Sequence, residues 1–79
     1  MDKKIIPLTA LPYNKNAKIV SLHGGHGFQH KLRTIGIREG QRIKIISRQP
    51  LRGPITVMVG NCQMTLGRGM AQKIMVEIL

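Results

Sequence analysis

The stretch Ile55-Thr56-Val57-Met58-Val59-Gly60-Asn61-Cys62-Gln63-Met64-Thr65-Leu66 decides the fold of this 79-residue chain. Side chains alternate between two faces on both sides of Gly60-Asn61, the pattern of two strands joined by a two-residue turn. The sequence therefore predicts a β-hairpin over 55–66. Cys62 shares a predicted apolar face with Met64 and Leu66, and we expect it to be a small buried hydrophobic residue, because free cysteine is commonly buried.

The segments on either side of this hairpin are also short and bounded by glycine or proline. Alternating or apolar runs predict strands over 17–22, 42–47 and 74–78, and Ile5 to Leu8 fits an edge strand because Pro7 cannot donate to a central ladder. Closing so small a sheet into a barrel removes exposed edges. We predict a mainly β fold, a small SH3-like barrel of about five strands with one short α-helix, forming a single domain over 1–79.

The one predicted helix follows a glycine-rich segment and covers Phe28 to Ile35. Phe28, Leu32 and Ile35 fall at i, i+4 and i+7, which places them on one face. A helix of this length is unstable alone, so we expect these three side chains to plug one end of the barrel. Gly36 stands where a left-handed residue ends a helix. The predicted inward strand positions are Ile19, Ile43, Ile45, Val57, Val59, Met64, Leu66, Ile74 and Val76.

Composition narrows the classes of function. The chain has 13 Lys and Arg against 3 Asp and Glu, a net charge of +10, and its 42% apolar content is too high for a disordered basic tail. No apolar run approaches the roughly 18 residues of a membrane helix, so we expect no membrane insertion. A single cysteine and no recognisable signal peptide favour a cytoplasmic location. The carboxylates Asp2, Glu39 and Glu77 are far apart in sequence, which argues against an enzyme.

Basic residues are concentrated between the predicted helix and the central loop. Such a field attracts nucleic acid, anionic lipid or an acidic protein surface. The aromatic residues are only Tyr13 and Phe28, whereas binding to single strands usually requires stacking rings. Duplex binding through phosphates needs no rings and stays an alternative. The basic residues of this region are Lys31, Arg33, Arg38, Arg42, Lys44, Arg48 and Arg52.

Three histidines lie within eight residues, at His23, His26 and His30. If the helix begins at His26, then His26 and His30 are one turn apart on one face. With His23 they form a candidate site for a transition metal such as Fe²⁺ or Zn²⁺. No carboxylate or cysteine is near in sequence to complete it, so an exposed polar loop is the favoured interpretation.

Three sequence elements resemble the FeoA family, the small cytosolic proteins of bacterial ferrous iron uptake. Leu32-Arg33-Thr34-Ile35-Gly36-Ile37-Arg38-Glu39-Gly40 is similar to the family's L-x-x-[LIM]-G-[IL]-x-x-G element, and the segment from Gly53 to Gly60 is similar to its G-[GD]-P-[IL]-x-V-x-[VI]-x-G element. Leu66, Ala71, Ile74 and Val76 match the closing pattern. The resemblance implies an SH3-like barrel and docking on the GTP-binding cytosolic part of the membrane permease FeoB. We expect no required cofactor and no small-molecule substrate.

Outward loops are the expected partner surface, because packing fixes the core positions. The leading candidates are the turn at Arg38 and the loop that holds Arg48, Leu51 and Arg52; arginine suits carboxylate recognition and Leu51 offers an apolar anchor. The adaptable side chains of Met58 and Met75 form a second candidate face. The predicted function is a non-catalytic accessory of ferrous iron uptake that the permease recruits to the inner face of the membrane. The alternatives are a basic nucleic-acid-binding barrel and a transition-metal sensor or carrier.

Overall fold

Six antiparallel strands form the sheet of the computed structural model, which describes residues 4–48 and 53–79. The order of strands across the sheet is β1-β6-β2-β3-β4-β5. The predicted edge strand at Ile5 to Leu8 is confirmed as β1, which pairs with β6 at the edge of the sheet; with it the sheet has six strands, against the expected count of about five. The elements are β1 Ile5–Pro7, a 3₁₀ turn Leu8–Ala10, β2 Ala17–Leu22, α1 His26–Thr34, β3 Arg42–Arg48, β4 Ile55–Val59, β5 Cys62–Leu66, the short helix α2 Arg68–Ala71, and β6 Ile74–Ile78.

The predicted hairpin is confirmed as β4 and β5. Val59 pairs with Cys62 next to the turn and Ile55 pairs with Leu66 at the far end. Gly60 has a φ of +59°, which the tight turn requires. Register shifts interrupt β2 between Ile19 and Ser21 and β3 between Ile45 and Ser47. Irregularities of this kind bend strands, so they help a small sheet to curl around its own inner face.

The core consists of apolar side chains from all six strands except β1, together with the connecting segments. Every predicted inward strand position is buried except Met64, which is half-buried and packs against the core. The prediction of a buried Cys62 is wrong, since its thiol is exposed. Among the described residues β5 pairs only with β4, and Cys62 stands at its first position, beyond the reach of the core.

Helix α1 docks on the barrel with fewer side chains than its periodicity predicts. Leu32 is fully buried and Phe28 is partly buried against the core, but Ile35 is 42% exposed, so its predicted place in the plug is wrong. The helix ends at Thr34, and the chain turns at Gly36 with a φ of +103°. Ile37 enters the core instead, and its N–H donates to the carbonyl of Leu32 at 2.9 Å.

None of the helices in the described ranges is long and apolar enough to cross a membrane.

Candidate partner-binding surface

The turn between α1 and β3 is held by backbone hydrogen bonds and leaves its charged side chains outside. Gly40 has a φ of +91°, and its N–H donates to the carbonyl of Ile19 at 2.7 Å. The N–H of Arg38 donates to Gln41 Oε1 at 2.8 Å, while the Arg38 side chain is exposed. Glu39 forms an exposed ion pair with Arg33, with 3.5 Å between nitrogen and oxygen. Arg38 is therefore presented to solvent on a turn with a fixed backbone.

Arg48, the last residue of β3, contacts a distant segment of the same chain, which the sequence did not predict. Its Nη2 donates to the carbonyl of Leu11, its guanidinium carbon lies 5.4 Å from the centre of the Tyr13 ring, and its Nε is buried without a hydrogen-bond partner. The neighbouring Asn14, with a φ of 58°, donates its N–H to the carbonyl of Ile45. Arg48 thus fastens the segment after the 3₁₀ turn to the end of β3.

The other two predicted residues of this loop, Leu51 and Arg52, lie outside the described residues. Arg38 and Arg48 belong to opposite ends of β3, which spans seven residues and so roughly 20 Å. Arg38 and Arg48 therefore do not form one cluster. A single partner contacting both must extend along the whole length of β3.

Met58 and Met75 both face outward from the barrel but on different parts of it. Met58 lies between two buried valines of β4 and pairs with Lys44 of β3. Met75 lies on β6 between Pro7 and Ser21 of the adjacent strands. Because β2 and β3 separate β6 from β4, the methionines are three strand spacings apart, roughly 14 Å along the sheet. Only Met58 adjoins the strand that connects Arg38 and Arg48.

The histidines lie at the start of α1 and on the loop before it. The helix begins at His26, so His26 and His30 are one turn apart, as the spacing predicts. All three histidines are exposed. Within 4–48 and 53–79, no group of three or more His, Cys, Asp or Glu side chains is placed to hold a metal ion. Metal binding by this segment stays a prediction, with two ligands supplied by the helix.

A further arrangement at the start of α1 was not predicted. The Lys73 ammonium lies 4.7 Å from the centre of the Phe28 ring, in cation–π range. The same ring packs on Gly24, where an added Cβ would lie 2.8 Å from a ring carbon, and His23 donates its N–H to the carbonyl of Lys73 at 2.7 Å. Since 45 residues separate Phe28 from Lys73, no local pattern in the sequence signals the pairing.

Comparisons with known proteins agree on one family. The FeoA domain model matches residues 6–78. A candidate Fe(2+) transport protein A from Methanocaldococcus jannaschii is 31% identical over 71 residues, covering 90% of this chain and 84% of the relative. The crystal structure of an iron uptake regulatory protein (FeoA) superposes with a TM-score of 0.87 at 30% identity, covering 96% of this chain and all of the other.

The solution structure of iron(II) transport protein A from Clostridium thermocellum is also similar to this chain in fold. It superposes with a TM-score of 0.87 at 31% identity and covers 94% of this chain and 46% of that one. The fold is thus shared with proteins named for iron uptake and iron(II) transport. The match over residues 6–78 shows that this chain belongs to the FeoA family.

Proposed function

We propose that this protein is a non-catalytic accessory of ferrous iron uptake that docks on the cytosolic, GTP-binding part of a FeoB-type permease. The single observation that carries the proposal is the family match over residues 6–78. The exposed basic surface supports it, because with +10 net charge the chain is steered toward acidic surfaces. Docking would recruit the protein to the inner face of the membrane.

The docking surface that we propose is the outer face of β3 and β4 with the loops at both ends of β3. Arg38 lies at one end, Met58 beside Lys44 in the middle, and Arg48 at the other end, followed in sequence by Leu51 and Arg52. A standard interface of about 800 Å² per partner is roughly 30 Å across, enough to cover this length. Met75 falls outside this surface and belongs to a second face to be tested if the first fails.

Within this surface the residues have different roles. Arg48 acts through the chain itself, because its guanidinium holds Leu11 and Tyr13. Replacing Arg48 would therefore disturb the fold as well as the surface. Arg38 and Arg52 are the better probes of charge, and Leu51 is the candidate anchor.

The test is to capture the permease from native membranes with this chain as bait, then to measure binding kinetics with the permease's isolated cytosolic part. Arg38→Glu with Arg52→Glu should slow association at low salt and less at high salt, whereas Leu51→Ala should speed dissociation. Lys4→Glu with Lys73→Glu is the control of equal charge change, because both residues flank β6, which lies two strands away from β3. Failure to capture the permease contradicts the proposal, and equal effects of both charge variants contradict the proposed face.

A further inference from the structure

One flank of α1 combines basic side chains with two apolar side chains, Phe28 and Ile35, that the core covers only in part. Ile35 is 42% exposed, Phe28 is only partly buried, and Lys31 stands between them in sequence, three residues after Phe28 and four before Ile35. Residues at these spacings are neighbours on a helix surface. Lys73 adds a second ammonium group, 4.7 Å from the Phe28 ring. We refer to Phe28, Lys31, Ile35 and Lys73 as the α1 flank.

We infer that the α1 flank is a contact site for an anionic phospholipid surface, on which α1 lies flat. Basic side chains beside exposed apolar ones are the composition of helices that bind at the membrane interface. The charge of the flank complements phospholipid headgroups, since α1 contains no carboxylate and the nearby Glu39 is paired with Arg33. The helix is nine residues long, roughly 13 Å, so this contact is weak and reversible.

The shape of the flank favours a lipid surface over a specific protein pocket or nucleic acid. The described residues form no cavity into which a partner's side chain could insert, and Ile35 stands directly after the last residue of α1. A fluid, anionic surface requires no such cavity and accepts the single side chain of Ile35 at its boundary. Nucleic acid offers phosphates but no apolar phase for Ile35, and the neighbouring aromatic ring of Phe28 already packs on Gly24.

This inference goes beyond docking on the permease, and a vesicle without protein tests it separately. Binding is measured by co-sedimentation with vesicles of equal parts phosphatidylglycerol and phosphatidylcholine, and with vesicles of phosphatidylcholine alone. A Lys or Arg near an anionic surface strengthens binding by about fivefold. Lys31→Gln with Lys73→Gln should therefore weaken binding to the anionic vesicles by about 25-fold, on that same basis.

A matched control separates the α1 flank from net charge. Lys4 and Lys15 are exposed and lie at the other end of the barrel: Ile78 donates its N–H to the carbonyl of Lys4, and Leu79 donates to that of Asn16. Lys4→Gln with Lys15→Gln removes the same charge, and we expect it to weaken binding far less. Ile35→Ser keeps every charge and alters only an exposed side chain. It should weaken vesicle binding while lowering the melting temperature by only about 4–8 °C, so that the protein stays folded in the binding assay.

Three outcomes would overturn the inference. They are equal loss of binding in the two double variants, no preference for anionic vesicles in the parent, and unchanged binding by Ile35→Ser. Duplex DNA serves as a competing polyanion in the same assay. Tighter binding of DNA than of anionic vesicles, with the same dependence on Lys31 and Lys73, would reassign the flank to nucleic acid. Loss of permease binding with vesicle binding intact would leave this inference standing.

Discussion

Truncation of Leu32 tests how α1 is attached to the barrel. The Leu32 side chain is fully buried, so it attaches α1 to the core of the barrel. The Leu32 carbonyl also accepts the N–H of Ile37, which holds the turn after the helix. Leu32→Ala should cost about 2–5 kcal/mol, through lost transfer free energy and an unfilled cavity. A chain of this length has a total stability of roughly 4–12 kcal/mol, so the loss is a large share of it.

Ile35→Ala is the matched control on the same predicted face. Because Ile35 is 42% exposed, its truncation should cost about 1 kcal/mol, well below the cost of truncating Leu32. Urea unfolding followed by circular dichroism gives both free energies, and the melting temperature of Leu32→Ala should fall by about 8 °C or more. Equal costs for the two substitutions would refute the reasoning, since the helix would then dock through Ile35 as well.

The remaining predictions concern backbone, anchoring and metal. Gly40→Ala should lower the free energy of unfolding by about 1–2 kcal/mol, because the φ of Gly40 is +91°. Gly27→Ala should raise it by roughly 0.5–1 kcal/mol, because Gly27 lies within α1 and an added Cβ would meet open space. A change of the same sign for both variants in urea unfolding would contradict this. Arg48→Met keeps the aliphatic stem but loses the bond to Leu11, so thermal unfolding should show a loss of about 1.5–3 kcal/mol, against little change for Arg38→Met. If His26 and His30 bind a transition metal, calorimetric titration with Zn²⁺ should show binding that His26→Ala with His30→Ala abolishes; no binding in the parent, or undiminished binding in that variant, would assign both histidines to an exposed polar surface.

Local patterns predicted most of the fold because they report on neighbours in sequence. Gly60-Asn61 between alternating runs located the hairpin, and the periodicity of 55–59 located its buried face. The same reasoning failed at Cys62 because alternation shows which face a residue points to and not whether another strand covers it. It failed at Ile35 because the chain turns at Gly36 with a positive φ, so that Ile37 is buried in the core and Ile35 stays partly exposed.

Contacts between distant segments could not be predicted in this way. Arg48 is 37 residues from Leu11, and only the curled sheet brings its guanidinium to that carbonyl and to the Tyr13 ring. Lys73 reaches Phe28 because β6 begins where β2 ends, with Leu22 paired to Ile74. The distance between Arg38 and Arg48 is likewise set by the length of β3. The composition of the two loops gives no information about that distance.

We propose that this chain promotes ferrous iron uptake through the permease. The most direct measurement is the initial rate of Fe²⁺ uptake by cells that carry a FeoB-type permease, with and without this chain. Cells that lack the permease provide the control. The proposal predicts a lower rate without the chain, restored when the chain is supplied, and no effect of the chain where the permease is absent. An unchanged rate without the chain, or an increase in cells that lack the permease, would contradict it.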